Sequence, residues 1–297
     1  MMELEAHRRW LFGVCYRMTG VAADAEDLVQ QTFARALEAN PDRTRALEPW
    51  LTTVAMNLAR DHLRARKARG YVGPFLPSPI PADEEEVIAH EPHDDGKPRY
   101  ELLESVSMAF LVALEVLSPT QRAVLLLRDV FDYSVRETAE ALELTEANVK
   151  VVHHRARAAM AKYDEDEPWA TRERAREALA LFLAALGSGD VHAVERLLAR
   201  DARAVNDGGG EFFAARLPVV GREKVALFYS KLAANVGELE VATVLDRNGW
   251  PMFVSRRAVT PPGEAPLSVT WVQVGADGLI TEIGNVLATR KLTHLAL

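Results

Sequence analysis

The side chains best placed to do chemistry in this sequence are basic and amide groups on helical periods. They suit the recognition of nucleic acid rather than bond making. From Tyr133 to Lys162 the spacing predicts a short helix over Glu137–Leu142, a turn over Glu143–Thr145 and a second helix from Glu146 to Met160. This is the helix-turn-helix layout, whose second helix enters the major groove. On a wheel of about 100° per residue, Val149, Val152, His153, Ala156, Ala159 and Met160 share one face. Lys150, Val151, His154, Arg157 and Ala158 share the other, flanked by Asn148 and Arg155. Basic residues interrupted by small ones suit close approach to base edges and phosphates. A solvated amphipathic helix would show the same pattern, so it gains weight only from its neighbours.

Two neighbours add that weight. Along Trp50–Arg69, Trp50, Val54, Leu58 and Asp61 share one side, while Asn57, Arg60, Arg64 and Lys67 form another. An aromatic, an amide and a basic track fit melted nucleic acid, whose bases stack and whose phosphates are held. Along Ala22–Leu37, Ala25, Val29, Thr32, Phe33 and Ala36 are expected to face inward, and Asp24, Asp27, Leu28, Gln31 and Arg35 outward. An exposed Leu28 amid polar residues would mark a docking surface.

These elements sit in a chain of 297 residues with 48% hydrophobic and 26% charged residues, the composition of a globular protein. No window reaches the length of apolar sequence that a membrane-spanning helix needs. Met1 to Trp10 is polar, so no secretory signal is expected there. The single cysteine, Cys15, excludes an intramolecular disulfide and a multi-cysteine zinc site, and suits a reducing cytoplasm. The net charge of −8 is unevenly spread. Residues 1–70 hold 11 Lys+Arg against 9 Asp+Glu, whereas residues 71–103 hold 2 against 8. Five basic residues cluster in Arg60–Arg69 and four in Thr145–Lys162, and such local clustering is the footprint of a nucleic-acid binder.

Residues 1–70 and 104–163 read as two all-α domains. Residues 71–103 read as a proline-rich acidic linker. Its first part, Tyr71–Ile80, is apolar enough that we expect it to pack on a neighbour. Ser118-Pro119 should start a helix. Residues 168–297 read as α+β. Helices are expected to Leu186, just after Asp190, and over Arg222–Ala234. Strands are expected over Glu238–Asp246, Met252–Ala258, Leu267–Val274 and Leu279–Leu287, with turns at Asn248-Gly249 and Asp277-Gly278.

Together these segments resemble a known family. Asp24–Phe33 resembles region 2.2 of the extracytoplasmic-function (ECF) sigma factors, and Pro49–Arg64 resembles their regions 2.3 and 2.4. Leu117–Val124 and Thr145–Arg157 resemble region 4. Tyr71-Val-Gly-Pro-Phe-Leu-Pro-Ser-Pro79, Asp207-Gly-Gly-Gly210 and the C-terminal α+β segment resemble the sigma-J-like branch, which carries a fused SnoaL-like (NTF2-like) domain. The resemblance implies two all-α sigma domains followed by a cone-shaped α+β domain. It implies core RNA polymerase and promoter DNA as partners, and no cofactor. Asp24, Asp27, Leu28 and Gln31 would face polymerase. The region 2.3/2.4 helix and the loop before it, about Asn40–Glu48, would melt and read the −10 element, with Trp50, Asn57, Arg60 and Arg64 toward the DNA. Asn148, Lys150, Val151, His154, Arg155 and Arg157 would face the −35 element. Val151-Val152 stands where many ECF factors have Ser-Arg, which removes a donor. Of the branch's Asn-Pro-Asp-Lys-Leu ending, Ala288-Thr-Arg-Lys-Leu292 keeps only Lys-Leu.

The fused domain is expected to regulate rather than catalyse. SnoaL-like domains enclose an apolar pocket, and some use a pocket carboxylate or histidine as acid or base. Asp207, Glu211, Asp246 and Glu282 are candidates here, with Trp250, Phe253 and Trp271 as lining. Asp207, Trp250 and Trp271 are the principal pocket or interdomain residues, and an unidentified small ligand would be a partner. His192 and His294 are not expected to serve as acid or base, and the His90-x-x-His93-Asp94-Asp95 cluster is not expected to hold a metal. The alternative reading is a helix-turn-helix activator with a ligand-sensing or enzymatic SnoaL-like domain.

Overall fold

The structure, a computed structural model, describes residues 2–39, 41, 46–81, 104–165 and 171–295. The chain divides into two compact units, Met1–Gly70 with Ala82–Asp166, and Tyr71–Pro81 with Glu167–Leu297. The His90–Asp95 cluster and most of the Asn40–Glu48 loop lie outside the described residues.

The first unit is helical. Helices α1 (Met2–Glu5), α2 (Arg8–Thr19), α3 (Ala22–Ala39) and α4 (Leu47–Arg69) are followed by α5 (Met108–Ala113), α6 (Pro119–Leu125), α7 (Val135–Leu142) and α8 (Glu146–Glu165). Local sequence sets the boundaries. Gly20 ends α2 in the left-handed conformation and returns its N–H to the Tyr16 carbonyl at 2.8 Å. Ser118 caps α6 in a reciprocal box with Gln121, behind Pro119. Ser134 and Glu137 form the same box at α7. Between α6 and α7, Leu126–Val130 forms one π-helical stretch. Leu11, Val14, Met18, Leu51 and Met56 are buried, as are Phe110, Leu114, Leu127 and Phe131. Trp10 meets Phe131 edge-on at 5.0 Å, so the helices before and after the linker share one core.

The second unit packs α9 (Arg172–Ser188), α10 (Val191–Leu197) and α11 (Arg222–Ala234) with a six-stranded sheet. The strands are β1 (Leu198–Asp207), β2 (Val219–Val220), β3 (Leu239–Arg247), β4 (Trp250–Arg257), β5 (Leu267–Val274) and β6 (Ile280–Val286), in the order β2-β1-β6-β5-β4-β3. β1 runs parallel to β6, and the other neighbours are antiparallel. Asn248 and Gly249, both at positive φ, make the two-residue turn between β3 and β4. The core of Leu179, Phe182, Val194, Val225, Val272 and Ile283 lies between helices and sheet. This is the α+β arrangement that the SnoaL-like resemblance implies. Sequence periodicity gave no sign of β1, because a register shift between Leu198 and Arg203 interrupts its pairing with β6 and Arg200, Asp201 and Arg203 are exposed.

Tyr71–Pro81 packs as a strap within this second unit, although it reads as linker in the sequence. Leu76 and Ile80 are buried. The Ile80 N–H donates to Asn248 Oδ1 at 2.9 Å, and Pro81 bridges to Arg247.

Candidate nucleic-acid interface

The second helix of the helix-turn-helix pattern is α8. Thr145 precedes it and accepts the Asn148 N–H at 3.2 Å. Glu143, at φ 55°, ends α7 in the left-handed conformation and so makes the turn. Val149, Ala156 and Met160 are buried, and Val152 and His153 half-buried, whereas Ala159 is exposed. Asn148, Lys150, Val151, His154, Arg155 and Arg157 are exposed, which is the basic face read from the wheel. Asp129, supplied by the π-helical stretch, fixes the helix from beneath. His153 Nε2 lies 2.9 Å from Asp129, and the Arg157 guanidinium pairs with the same carboxylate through Nε at 3.0 Å and Nη2 at 2.5 Å. Burial alone would raise the Asp129 carboxyl, but the His153 and Arg157 hydrogen bonds outweigh it and hold its pKa below the ordinary value. Arg157 is therefore tethered in place, unlike Lys150 and Arg155, for which no such tie is present among the described contacts.

Along α4, the amide and basic track meets the helix-turn-helix itself. Asn57 Nδ2 donates to the Ala141 carbonyl at 3.0 Å and Arg60 Nη1 to the Leu142 carbonyl at 3.1 Å. Both acceptors are in the last turn of α7, where carbonyls lack intrahelical partners and the dipole favours a cation. The fit is incomplete, because Asn57 Oδ1 and Arg60 Nε are buried without a hydrogen-bond partner. Burial also pushes the Arg60 pKa down. Arg64 is exposed and pairs with Asp61 at 2.9 Å, and Trp50 is half-buried.

Polar staples accompany this packing. Arg122 donates to the Met18 carbonyl at 2.9 Å, and Arg122 and Arg66 both pair with Glu115, at 2.7 and 2.8 Å. Arg17 donates to Ser105 at 2.6 Å.

On α3 the outward assignment needs correction. Asp27 and Gln31 are exposed, but Leu28 is only 2% exposed, and Asp24 is buried and faces His62 at 3.1 Å. The reason is geometric: α3 packs on both α2 and α4, so its covered arc is wide. Leu28 sits only about 60° from Ala25 on the wheel, at the edge of that arc rather than amid the polar face.

In the second unit the pocket assignments also change. Asp207, fully buried, holds the strap. It accepts from the Tyr71 hydroxyl at 2.5 Å, the Leu76 N–H at 2.7 Å, the Gly209 N–H at 3.1 Å and Lys291 Nζ at 2.5 Å. Lys291 also donates to the Leu76 carbonyl and lies over the Phe75 and Tyr71 rings. Gly209 and Gly210 take positive φ, and added Cβ atoms there would crowd Tyr71 and Val72. The retained Lys-Leu ending is the sequence sign of this clasp, although its pairing with Asp207 was not legible. Trp271 is buried over Gly284, where a Cβ would meet the indole at 2.3 Å. Trp250 donates to the Val272 carbonyl. Neither tryptophan lines the cavity between α9, α11 and the sheet, whereas Phe253 does. Asp246 pairs with Arg172 and Arg176, Glu282 with Arg203, and His192 with Glu195. Glu211 accepts from the Thr289 N–H. Among the described residues, no helix is long and apolar enough to cross a membrane.

Comparisons with known proteins agree with this geometry. The Sigma-70 region 2 family model matches residues 4–69, and the Sigma-70, region 4 model matches residues 107–160. The chain is 33% identical over 239 residues to the ECF RNA polymerase sigma factor SigJ of Mycobacterium tuberculosis, covering 79% of this chain and 73% of the relative. It is 40% identical over 167 residues to SigG of the same species, covering 52% of this chain and 45% of the relative. The crystal structure of M. tuberculosis SigJ matches with a TM-score of 0.74 and 27% identity, covering 100% of this chain and 99% of that one. With both sigma regions in order and a relative matched across most of its length, the chain belongs to the extracytoplasmic-function family of RNA polymerase sigma factors.

Proposed function

We propose that this sigma factor, acting in the cytoplasm with core RNA polymerase, holds its −10-reading helix in a covered state until polymerase separates α4 from α7. The observation that carries the reading is the pair of hydrogen bonds from Asn57 and Arg60 to the Ala141 and Leu142 carbonyls. Side chains suited to promoter bases are spent on a helix end, and each leaves a buried polar atom unsatisfied. Binding to polymerase and DNA would satisfy them better, so differential affinity would favour the open state. Lys150, His154 and Arg155 on α8 stay exposed and read the −35 element. Asp27 and Gln31 are the polymerase-facing side chains of α3, and Leu28 supports that helix from inside. The C-terminal unit acts as a fused regulator through the strap, which follows α4 immediately in sequence. Asp207, the principal carboxylate candidate there, is committed to the strap, which favours a regulatory over an enzymatic reading of this unit.

Förster transfer between dyes at Ala68→Cys on α4 and Glu140→Cys on α7, both exposed, tests the opening. Cys15 stays unlabelled near neutral pH, because burial pushes its thiol up to about 12. Transfer should be high in the free chain and fall with core polymerase and promoter. Unchanged transfer in a holoenzyme that produces run-off transcript defeats the proposal.

A further inference from the structure

The C-terminal unit contains a cavity of about 470 Å³ between α9, α11 and the sheet, within the range of small-molecule sites. Its helix side is mainly apolar, with Phe182, Leu183 and Leu186 from α9 and Leu232 from α11, beside the hydroxyls of Ser188, Tyr229 and Ser230. Its sheet side sets an uncharged polar row beside Leu239 and Phe253. Ser255 on β4 pairs in register with Ser268 on β5, their hydroxyls 2.8 Å apart. Thr270 on β5 pairs with Asn285 on β6 and donates to its Oδ1 at 3.1 Å.

This row lies where a plain core would be aliphatic. Residues two apart on a strand share a face. Ser268 and Thr270 therefore continue the inward face of β5 that carries Val272 and Val274 in the hydrophobic core. The same face of β6 runs from core Ile283 to Asn285. Ser255, Thr270 and Asn285 are each less than a tenth exposed. Packing alone gives no reason to exchange valines for hydroxyls and an amide there. Hydrogen-bond supply gives one. A hydroxyl pair uses one of its two O–H groups internally and keeps the other to donate. The Asn285 amide donates one N–H to Asn206 Oδ1 at 3.3 Å and keeps a second.

Among the described residues, no Asp, Glu, Lys, Arg or His lines the cavity, so an ionised ligand would lose hydration without a counter-charge. Among the described lining residues the one titratable group is Tyr229, and burial raises the phenol's pKa, which leaves no acid or base there suited to proton transfer. We propose that this cavity binds an uncharged small molecule with an apolar body and a carbonyl or ether acceptor. The apolar body packs on the α9 side and the acceptor meets the Ser–Thr–Asn row, and the ligand is bound without being turned over. The inference goes beyond the sigma-factor reading and does not rest on it.

The test uses prodan, a neutral naphthyl ketone whose emission shifts to the blue in apolar surroundings, with the full chain and no polymerase. Saturable binding with a blue shift is expected. Its carboxylate counterpart, 6-dimethylamino-2-naphthoate, should fail to compete. Ser268→Phe, which fills the cavity, should weaken binding at least about tenfold. Gly187→Trp gives a second variant at the mouth, where an added Cβ meets nothing within 4 Å, and it should weaken binding even if Ser268→Phe does not fold. Absence of saturable binding to the natural chain overturns the proposal. So does equal competition by the carboxylate, or undiminished binding in the folded variants. Run-off transcription is measured separately, so failure here leaves the sigma-factor reading standing.

Discussion

The Asp207–Lys291 clasp allows a quantitative test. Both side chains are almost wholly excluded from water, at 0% and 4% exposure. Removing one partner of such a pair leaves a buried charge uncompensated and costs about 3–5 kcal/mol. The lower end applies here, because each residue keeps other partners. Without Lys291, Asp207 still accepts from Tyr71, Leu76 and Gly209. Without the Asp207 charge, Lys291 keeps the Leu76 carbonyl and the two rings. Asp207→Asn and Lys291→Met should thus each destabilise the C-terminal unit by about 3 kcal/mol, or roughly 10 °C in Tm. The double variant places a thioether between Phe75 and Tyr71 and no longer buries a charge. It should also cost about 3 kcal/mol rather than the additive ~6, a coupling of about 3 kcal/mol. Native-state hydrogen exchange of peptides from β1, β5 and β6 in the full chain would measure this unit by itself. Additive single effects would refute the clasp as an energetic unit.

Three further outcomes are expected. Asp129→Asn should destabilise the first unit by about 1–2 kcal/mol at neutral pH. The folded Asp129 pKa is depressed, so its stabilisation is present above the unfolded value and lost as pH falls through the folded one. Urea unfolding of variant and natural chain should therefore converge well below about pH 4, and a gap that persists in acid argues against the His153–Asp129–Arg157 seat. Arg155→Ala and Lys150→Ala should weaken −35 binding, by about 1–3 kcal/mol at one position for a base contact and uniformly across sequences for a phosphate contact; band-shift assays on permuted −35 sequences distinguish them, and no change in either variant means α8 is not the reader. Truncation from residue 168 onward should alter run-off transcription while leaving −35 recognition intact, and unaltered transcription would remove the regulatory role.

The sequence made some features legible for identifiable reasons. Caps and turns with local chemistry, such as Ser118-Pro119 and Asn248-Gly249, appear where expected. The α8 faces followed from periodicity, Ala159 apart, because Val149, Val152, His153, Ala156 and Met160 are covered along one arc and the basic residues lie off it. Leu28 was misread because α3 is covered from two sides, which widens the buried arc beyond what a wheel with one apolar stripe suggests. The Asp207 clasp joins residues far apart in the chain, and nothing local announces such a pairing. The unusual apolar content of Tyr71–Ile80 did announce that the strap packs, but not against which unit. The α4–α7 contact was equally hidden, since Asn57 and Arg60 bond to backbone carbonyls that carry no residue code.

The clasp also sets an order of events during synthesis. Lys291 follows Leu76, whose carbonyl it holds, by 215 residues. The strap therefore leaves the ribosome long before its lysine partner exists, and chains emerge and fold from the N-terminus. Both sigma regions will have been made while the strap still lacks its seat. The C-terminal unit can fasten it only once Lys291 has been made. A chain that stops short of Lys291 thus carries its promoter-reading helices with the strap loose, and one that includes Lys291 carries it fastened.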